Sequence, residues 1–108
     1  MRAIIKLEED MFASGGGEKI VFIWRISEKK IIKRLPECED TILTLAKLNG
    51  DWLAAGTAKG IIRVFDYSYC LKVISVHEAA VKCILYLQDA NRFVSGGDDN
   101  IVSIVNYK

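Results

Sequence analysis

Chemistry in this chain would have to come from a small set of side chains. His77 is its single histidine, and with Ser95 and Asp99 it supplies the three residue types of a nucleophilic triad. Such a triad needs a serine raised on an exposed elbow, an imidazole within reach of its hydroxyl and an oxyanion hole. Ser95 lies instead within a strand-like run, so no catalytic residue is assigned and enzymatic activity is not expected. The three cysteines, Cys38, Cys70 and Cys83, join His77 in offering the thiolate and imidazole ligands that suit zinc. Their wide spacing contains no CxxC and fits no compact zinc motif, so they are expected to be buried structural cysteines and no metal site is assigned. Gly15-Gly16-Gly17 has the look of a phosphate loop, but no Gly-Lys-Ser or Gly-Lys-Thr follows and no helix starts there. It reads as a hairpin turn, and no cofactor is expected.

Composition narrows the partners. The 108 residues are 51% hydrophobic, which excludes a disordered chain. Fifteen basic against 14 acidic side chains leave a formal net charge of +1, without the bulk positive field of a nucleic-acid binder or an anionic-membrane binder. An odd number of widely spaced cysteines favours a reducing compartment, cytoplasmic or nuclear. The apolar stretch after Met1-Arg2 soon meets Lys6 and Glu8-Glu9-Asp10, so no signal-peptide core is read. Apolar runs such as Ile20 to Trp24 fall well short of the roughly 20 residues that span a bilayer. The expectation is an intracellular chain without a membrane segment.

The elements that position these side chains emerge from an internal repeat. Superposing Ser14-Gly15, Ala55-Gly56 and Ser95-Gly96 aligns three segments without gaps, with a period of about 40 residues. After each dipeptide come four turn-like positions and an apolar strand: Ile20 to Ile26, Ile61 to Asp66 and Ile101 to Tyr107. Before each comes another strand, Arg2 to Leu7, Ile42 to Leu48 or Val81 to Leu87, closed by a polar turn containing Glu9-Asp10, Gly50-Asp51 or Asp89-Ala90-Asn91. Ile31 to Leu35 and Leu71 to Val76 add an outer strand to the first two repeats. Val, Ile, Phe and Tyr dominate these runs, and Gly, Asn and Asp break them before a helix could form. Runs apolar on both faces suit sheets packed between two others. Four strands per period predict an all-β fold, a partial β-propeller of nearly three four-stranded antiparallel blades with the last outer strand missing. The chain is one domain, 1–108, with blades at 2–35, 42–76 and 81–107.

These stretches resemble WD repeats, the beta-transducin-like propeller family, over nearly the whole chain. The third repeat carries the resemblance best, through Val76-His77-Glu78-Ala79-Ala80-Val81 and Val94-Ser95-Gly96-Gly97-Asp98-Asp99-Asn100-Ile101. Phe65-Asp66 stands where the family's Trp-Asp pair belongs, while Trp24-Arg25 and Val105-Asn106 depart from it. The resemblance implies a structural hydrogen-bonded network of His77, Ser95 and Asp99, with Val105 in place of the fourth member, a Trp. At the earlier matching positions Cys38 replaces the histidine, and Lys19 and Lys59 replace the aspartate, so those hairpins are expected to rely on backbone bonds and packing alone.

Propellers close with 4 to 8 blades, so fewer than three call for completion. A blade face of roughly 300 Å² follows from strand spacing and rise, and exposing it forgoes about 8 kcal/mol of burial. The function expected is therefore a non-catalytic protein-protein interaction scaffold, docked into or completed by a larger assembly. Two other classes remain open: a self-assembling unit that closes a propeller as a homo-oligomer, and an RNA-contacting component using Lys29, Lys30, Lys33 and Arg34. The charge balance disfavours nucleic acid, and bases such as Lys30, Lys33, Arg34 and Lys72 on outer strands discourage edge-to-edge aggregation. One end of the propeller collects Glu18, Glu37, Glu39, Asp40, Glu78 and Asp98, an acidic rim suited to a basic peptide segment. The other end, with Glu8, Glu9, Asp10, Glu28, Asp51, Asp66 and Asp89, is acidic as well.

Overall fold

The computed structural model describes residues 2–67, 69–87 and 92–106. The turn expected at Asp89-Ala90-Asn91 and the strand end at Tyr107 lie outside them. Among the described residues, eleven strands form three antiparallel sheets. In chain order they are β1 (Ala3–Glu8), β2 (Met11–Gly15), β3 (Phe22–Arg25) and β4 (Lys30–Arg34) in the first sheet, and β5 (Ile42–Lys47), β6 (Leu53–Thr57), β7 (Ile61–Phe65) and β8 (Cys70–Ser75) in the second. The third holds β9 (Val81–Leu87), β10 (Arg92–Gly97) and β11 (Val102–Asn106). Sequential strands pair within each sheet, so every sheet is a meander, and the three are blades of a partial propeller. Strand limits differ from the sequence expectation by a residue or so; the largest shift is at Ile20-Val21, which precede β3 although Val21 is fully buried.

Packing follows from the alternation of side chains across each strand. Odd positions of blade 1, among them Leu7, Ala13 and Ile23, face blade 2, where they meet Leu45, Leu53, Ala55 and Phe65. The other face of blade 2, carrying Ala54, Ile62 and Val64, meets Val81 and Phe93 of blade 3. All five residues of β6 are consequently buried. A middle strand covered on both sides cannot alternate polar with apolar, and Leu53-Ala54-Ala55-Gly56-Thr57 does not.

Each blade-blade contact is keyed by a glycine. The first strand of one blade crosses the second strand of the blade before it so closely that a Cβ on Gly15 would lie 2.8 Å from Ile42, and one on Gly56 would lie 2.7 Å from Val81. These glycines are therefore sockets for β-branched side chains.

The hairpins after β2, β6 and β10 share one turn. Its closing bonds run from Lys19 N to Gly16 O, Gly60 N to Thr57 O and Asn100 N to Gly97 O at 3.1–3.2 Å. Lys19, Gly60 and Asn100 are all left-handed, with φ of 67°, 81° and 64°, so Lys19 stands at the position of Asn100, and the expectation that it replaces Asp99 is corrected: Glu18 does. Glycine and asparagine tolerate that region, whereas lysine is strained in it. At Gly60 space is also closed, since a Cβ would lie 2.0 Å from the His77 carbonyl oxygen. Opposite outcomes are expected for two substitutions in urea unfolding. Lys19→Gly raises stability by about 0.5–1 kcal/mol, and Gly60→Ala lowers it by at least about 2 kcal/mol; equal effects at the two sites would contradict the shared turn.

Candidate functional site

The connectors between blades carry the polar side chains that the sequence singled out. Residues 35–41 join β4 to β5, and residues 76–80 join β8 to β9. Each connector lies over the hairpin of the preceding blade: Cys38 N donates to Lys19 O at 2.7 Å, and His77 N donates to Gly60 O at 3.1 Å. Each also reaches forward to the next blade, by different chemistry.

At the second connector the structure brings His77, Ser95 and Asp99 together. The His77 ring is buried, with Nδ1 3.0 Å from Asp99 Oδ2 and Nε2 2.9 Å from Ser95 Oγ. The ring thus bridges the carboxylate and the serine hydroxyl, one through each of its two nitrogens. Asp99 also accepts from the backbone N–H groups of Glu78 and Ile101, each at 3.1 Å. Burial pushes the Asp99 carboxyl up, but the two backbone donors and His77 outweigh it and hold the group below its ordinary value. His77 thus has its backbone on blade 2 and its ring on blade 3. Ser95 sits mid-strand in β10 and is fully buried, so its hydroxyl is enclosed rather than presented to a substrate.

At the first connector the corresponding tie is an ion pair. Arg63 Nε of β7 lies 3.0 and 3.1 Å from the two carboxylate oxygens of Glu39, both side chains being largely buried. The guanidinium hydrogen bonds hold Glu39 below the usual carboxylate range despite its burial. Cys38, behind this pair, is pushed up to about 11 by burial. In the hairpin after β6, where backbone bonds and packing alone were expected, Thr57 Oγ1 also donates to Ile61 O at 3.0 Å, and the ion pair is a separate tie between connector and strand. The available signal was Arg63 itself, a lone charge in Ile61-Ile62-Arg63-Val64-Phe65 at an inward position of the strand.

The first repeat contributes a third polar contact. Trp24 Nε1 donates to Ser14 Oγ at 2.9 Å, and Trp24 stacks on Phe12 with ring centroids 5.7 Å apart. Both belong to the face of blade 1 turned away from blade 2. There Ile4, Phe12, Phe22, Trp24, Ile31 and Arg34 border a depression of about 440 Å³, with the Arg34 guanidinium 5.6 Å from the centre of the Phe22 ring. The far face of blade 3 is open too, its Leu85, Val102 and Ile104 being 65–73% exposed.

The acidic side chains disperse into separate roles. Glu39 is engaged by Arg63, Asp40 accepts from Thr41 N at 2.7 Å, Asp98 lies 3.8 Å from Lys82, and Glu18 borders the blade 1 depression. Glu37 is an exposed connector residue, and Glu78 contributes its backbone N–H to Asp99. Of the cysteines expected to be buried, only Cys38 is; Cys70 is half-buried beside Arg63, and Cys83 is exposed because it lies on the open face of blade 3. Among the described residues no group of three or more His, Cys, Asp or Glu side chains could hold a metal ion. No helix among them is long and apolar enough to cross a membrane.

Because Asp99 and Glu39 are both held low in the folded chain, their stabilisation is complete above the carboxylate values of the unfolded chain, about 4. It is lost as pH falls through the lower folded values. The urea midpoint should therefore drop on acidification below about pH 4, and Asp99→Asn and Glu39→Gln should each start lower at neutral pH and flatten that drop. A double variant as acid-sensitive as the parent would remove these two groups as the cause.

Residues 68–106 match the family model described as "WD domain, G-beta repeat". The chain is 29% identical over 92 residues to WD repeat-containing protein 18 of Danio rerio, covering 83% of this chain and 21% of that protein. It is 27% identical over 99 residues to WD repeat-containing protein 18 of Homo sapiens, covering 89% and 23%. Protein NEDD1 of Mus musculus is 30% identical over 108 residues, covering 93% and 16%. The chain thus spans about a fifth of the length of these relatives. A crystal structure of the computationally designed Ika8 protein superposes with a TM-score of 0.83 at 23% identity, over 95% of this chain and 32% of that one, and supports the fold. Three meander blades in series, a matched repeat in the third and relatives that align across most of the chain place this protein in the WD-repeat, beta-transducin-like family.

Proposed function

We propose that this chain is a non-catalytic protein-interaction scaffold whose open blade faces dock against further β-structure in a larger assembly. The observation that carries this reading is the exposure of Val102 and Ile104. They occupy the repeat positions of Val21 and Ile23 and of Ile62 and Val64, all four of which are fully buried under a neighbouring blade. Residues of the same type at the same register are covered twice and uncovered once. Apolar surface collected in this way marks an interaction site rather than ordinary surface.

The competing surfaces are weaker. A basic peptide on the acidic rim would have to attract a guanidinium or ammonium group where Glu39 is already neutralised by Arg63 and Asp98 lies near Lys82. For RNA, Lys30 pairs with Glu28 at 3.4 Å and Arg34 is stacked on Phe22. Neither arrangement offers a continuous charged stripe.

Affinity capture from cells, followed by reconstitution with purified partner, tests the reading. Val102→Asp and Ile104→Asp should each weaken a reconstituted complex by at least about tenfold, the loss of one buried apolar anchor. Reversing Glu37 and Glu78 should leave it unchanged. Loss on the rim reversal with retention in the face variants would move the binding to the rim.

A further inference from the structure

Strand pairing puts the outer strands of blades 1 and 2 in one register. Arg34 stands opposite Phe22 and Lys33 opposite Ile23 in blade 1, as Val73 stands opposite Arg63 and Lys72 opposite Val64 in blade 2. Each outer strand then bulges by one residue, Ile32 in β4 and Leu71 in β8. Past the bulge, Lys30 opposite Arg25 corresponds to Tyr69, whose carbonyl oxygen accepts from Asp66 N at 3.1 Å. The exposed side chains of β4 are Lys30, Lys33 and Arg34, all basic. In blade 2 two of these three bases give way to Tyr69 and Val73, which are 70% and 54% exposed. Between them Leu71 is exposed as well, whereas Ile32 packs against the core shared by blades 1 and 2.

Charged side chains along an outer strand keep foreign strands from pairing with its free N–H and C=O groups. β4 keeps that guard, and β8 has lost most of it. Blade 2 is covered by blade 1 on one face and by blade 3 on the other, so this opening belongs to the circumference and not to a blade face. Among the described residues no strand pairs with β8 on the side away from β7. Tyr69 is also fixed in place, because its backbone N donates to Asp66 Oδ1 at 2.7 Å.

We propose that the outer edge of β8 takes an extended segment of a partner protein as a fifth strand of blade 2, with apolar side chains against Tyr69, Leu71 and Val73 and a carboxylate against Lys72. Main-chain hydrogen bonds supply the affinity of such strand addition, and the side chains along the edge supply the selection. Lys72 decides the charge of the segment. It is exposed and makes no ion pair among the described residues. Cys70–Ser75 contains no acidic residue, so β8 of a second copy offers Lys72 nothing, and a basic segment is repelled. The site is separate from the open faces of blades 1 and 3 and does not rest on them.

The test titrates the whole chain, by fluorescence anisotropy, with a labelled peptide Thr-Val-Thr-Val-Glu-Val-Thr-Val and with its twin carrying Lys in place of Glu. The acidic peptide should bind saturably, and its twin at least about threefold more weakly. Lys72→Glu should reverse that preference. Tyr69→Lys and Val73→Lys, both at positions more than half exposed, should each weaken the acidic peptide at least about tenfold while circular dichroism keeps its strand signal. A strand directs alternate amides to its neighbour, so N-methylation of every second peptide amide should abolish binding in one phase and spare it in the other. Hydrogen exchange should slow in β8 amides as the peptide saturates. Absence of saturable binding, equal loss in both N-methyl phases, or binding indifferent to Val73→Lys overturns strand addition at β8. Loss on Ile104→Asp with retention in Val73→Lys would also overturn it, while leaving the scaffold reading of the blade faces intact.

Discussion

The structure depends on one steric arrangement, the seating of a β-branched side chain from one blade on a bare glycine backbone in the blade before it. Ile42 on Gly15 and Val81 on Gly56 bring successive sheets close enough for their faces to exclude water. Everything apolar in the chain follows from that spacing. Once sheets are stacked, each needs two dry faces, and strands such as β6 lose any polar side. Because the arrangement repeats rather than closes, it leaves one face of each kind uncovered among the described residues. The exposed aliphatic side chains of blade 3 and the aromatic ones of blade 1 are direct consequences of the packing inside.

Sheets stacked only by apolar contact could slide or splay, and the connectors restrain them. Both connectors use a backbone N–H to hold the hairpin behind and a side chain to hold the blade ahead. His77 reaches Ser95 and Asp99, whereas Glu39 reaches Arg63. The two solutions differ in their cost. The His77 ring makes a compact set of hydrogen bonds with Asp99 additionally satisfied by backbone donors, so little polar capacity is stranded. The Arg63–Glu39 pair brings two charges into a largely dry site, where attraction and bidentate geometry must offset desolvation.

Much of this was legible in the sequence, and the limit has a physical cause. A period near 40 residues anchored on Ser14-Gly15, Ala55-Gly56 and Ser95-Gly96 is a backbone requirement, and backbone requirements repeat. Strand count, blade order and the meander followed from it. His77, Ser95 and Asp99 were legible because they belong to a recurring motif. The Arg63–Glu39 pair was not, because it joins a strand to a connector residue with no fixed sequence offset. The left-handed conformation of Lys19 was concealed by its residue type, since only alignment with Gly60 and Asn100 reveals what the turn demands. Cys83 was misjudged because burial in a blade depends on a neighbouring sheet, which the local pattern cannot supply.

The three repeats also explain why the motif can decay without loss of the fold. At the position of Ser14 and Ser95 the second repeat has Ala55, and at the position of Trp24 and Val105 it has Phe65. In blade 1 the serine hydroxyl accepts from the indole, and no histidine is needed. In blade 3 it bonds to the imidazole, and no tryptophan is needed. Blade 2 has neither hydroxyl nor donor, and both positions are apolar and fully buried. What is held constant is the absence of an orphaned polar group, since a buried hydroxyl without a partner costs about 1–3 kcal/mol while removing both partners together costs little. Each repeat satisfies that condition in its own way. The identity of the network members is therefore free to drift, provided that they drift in pairs.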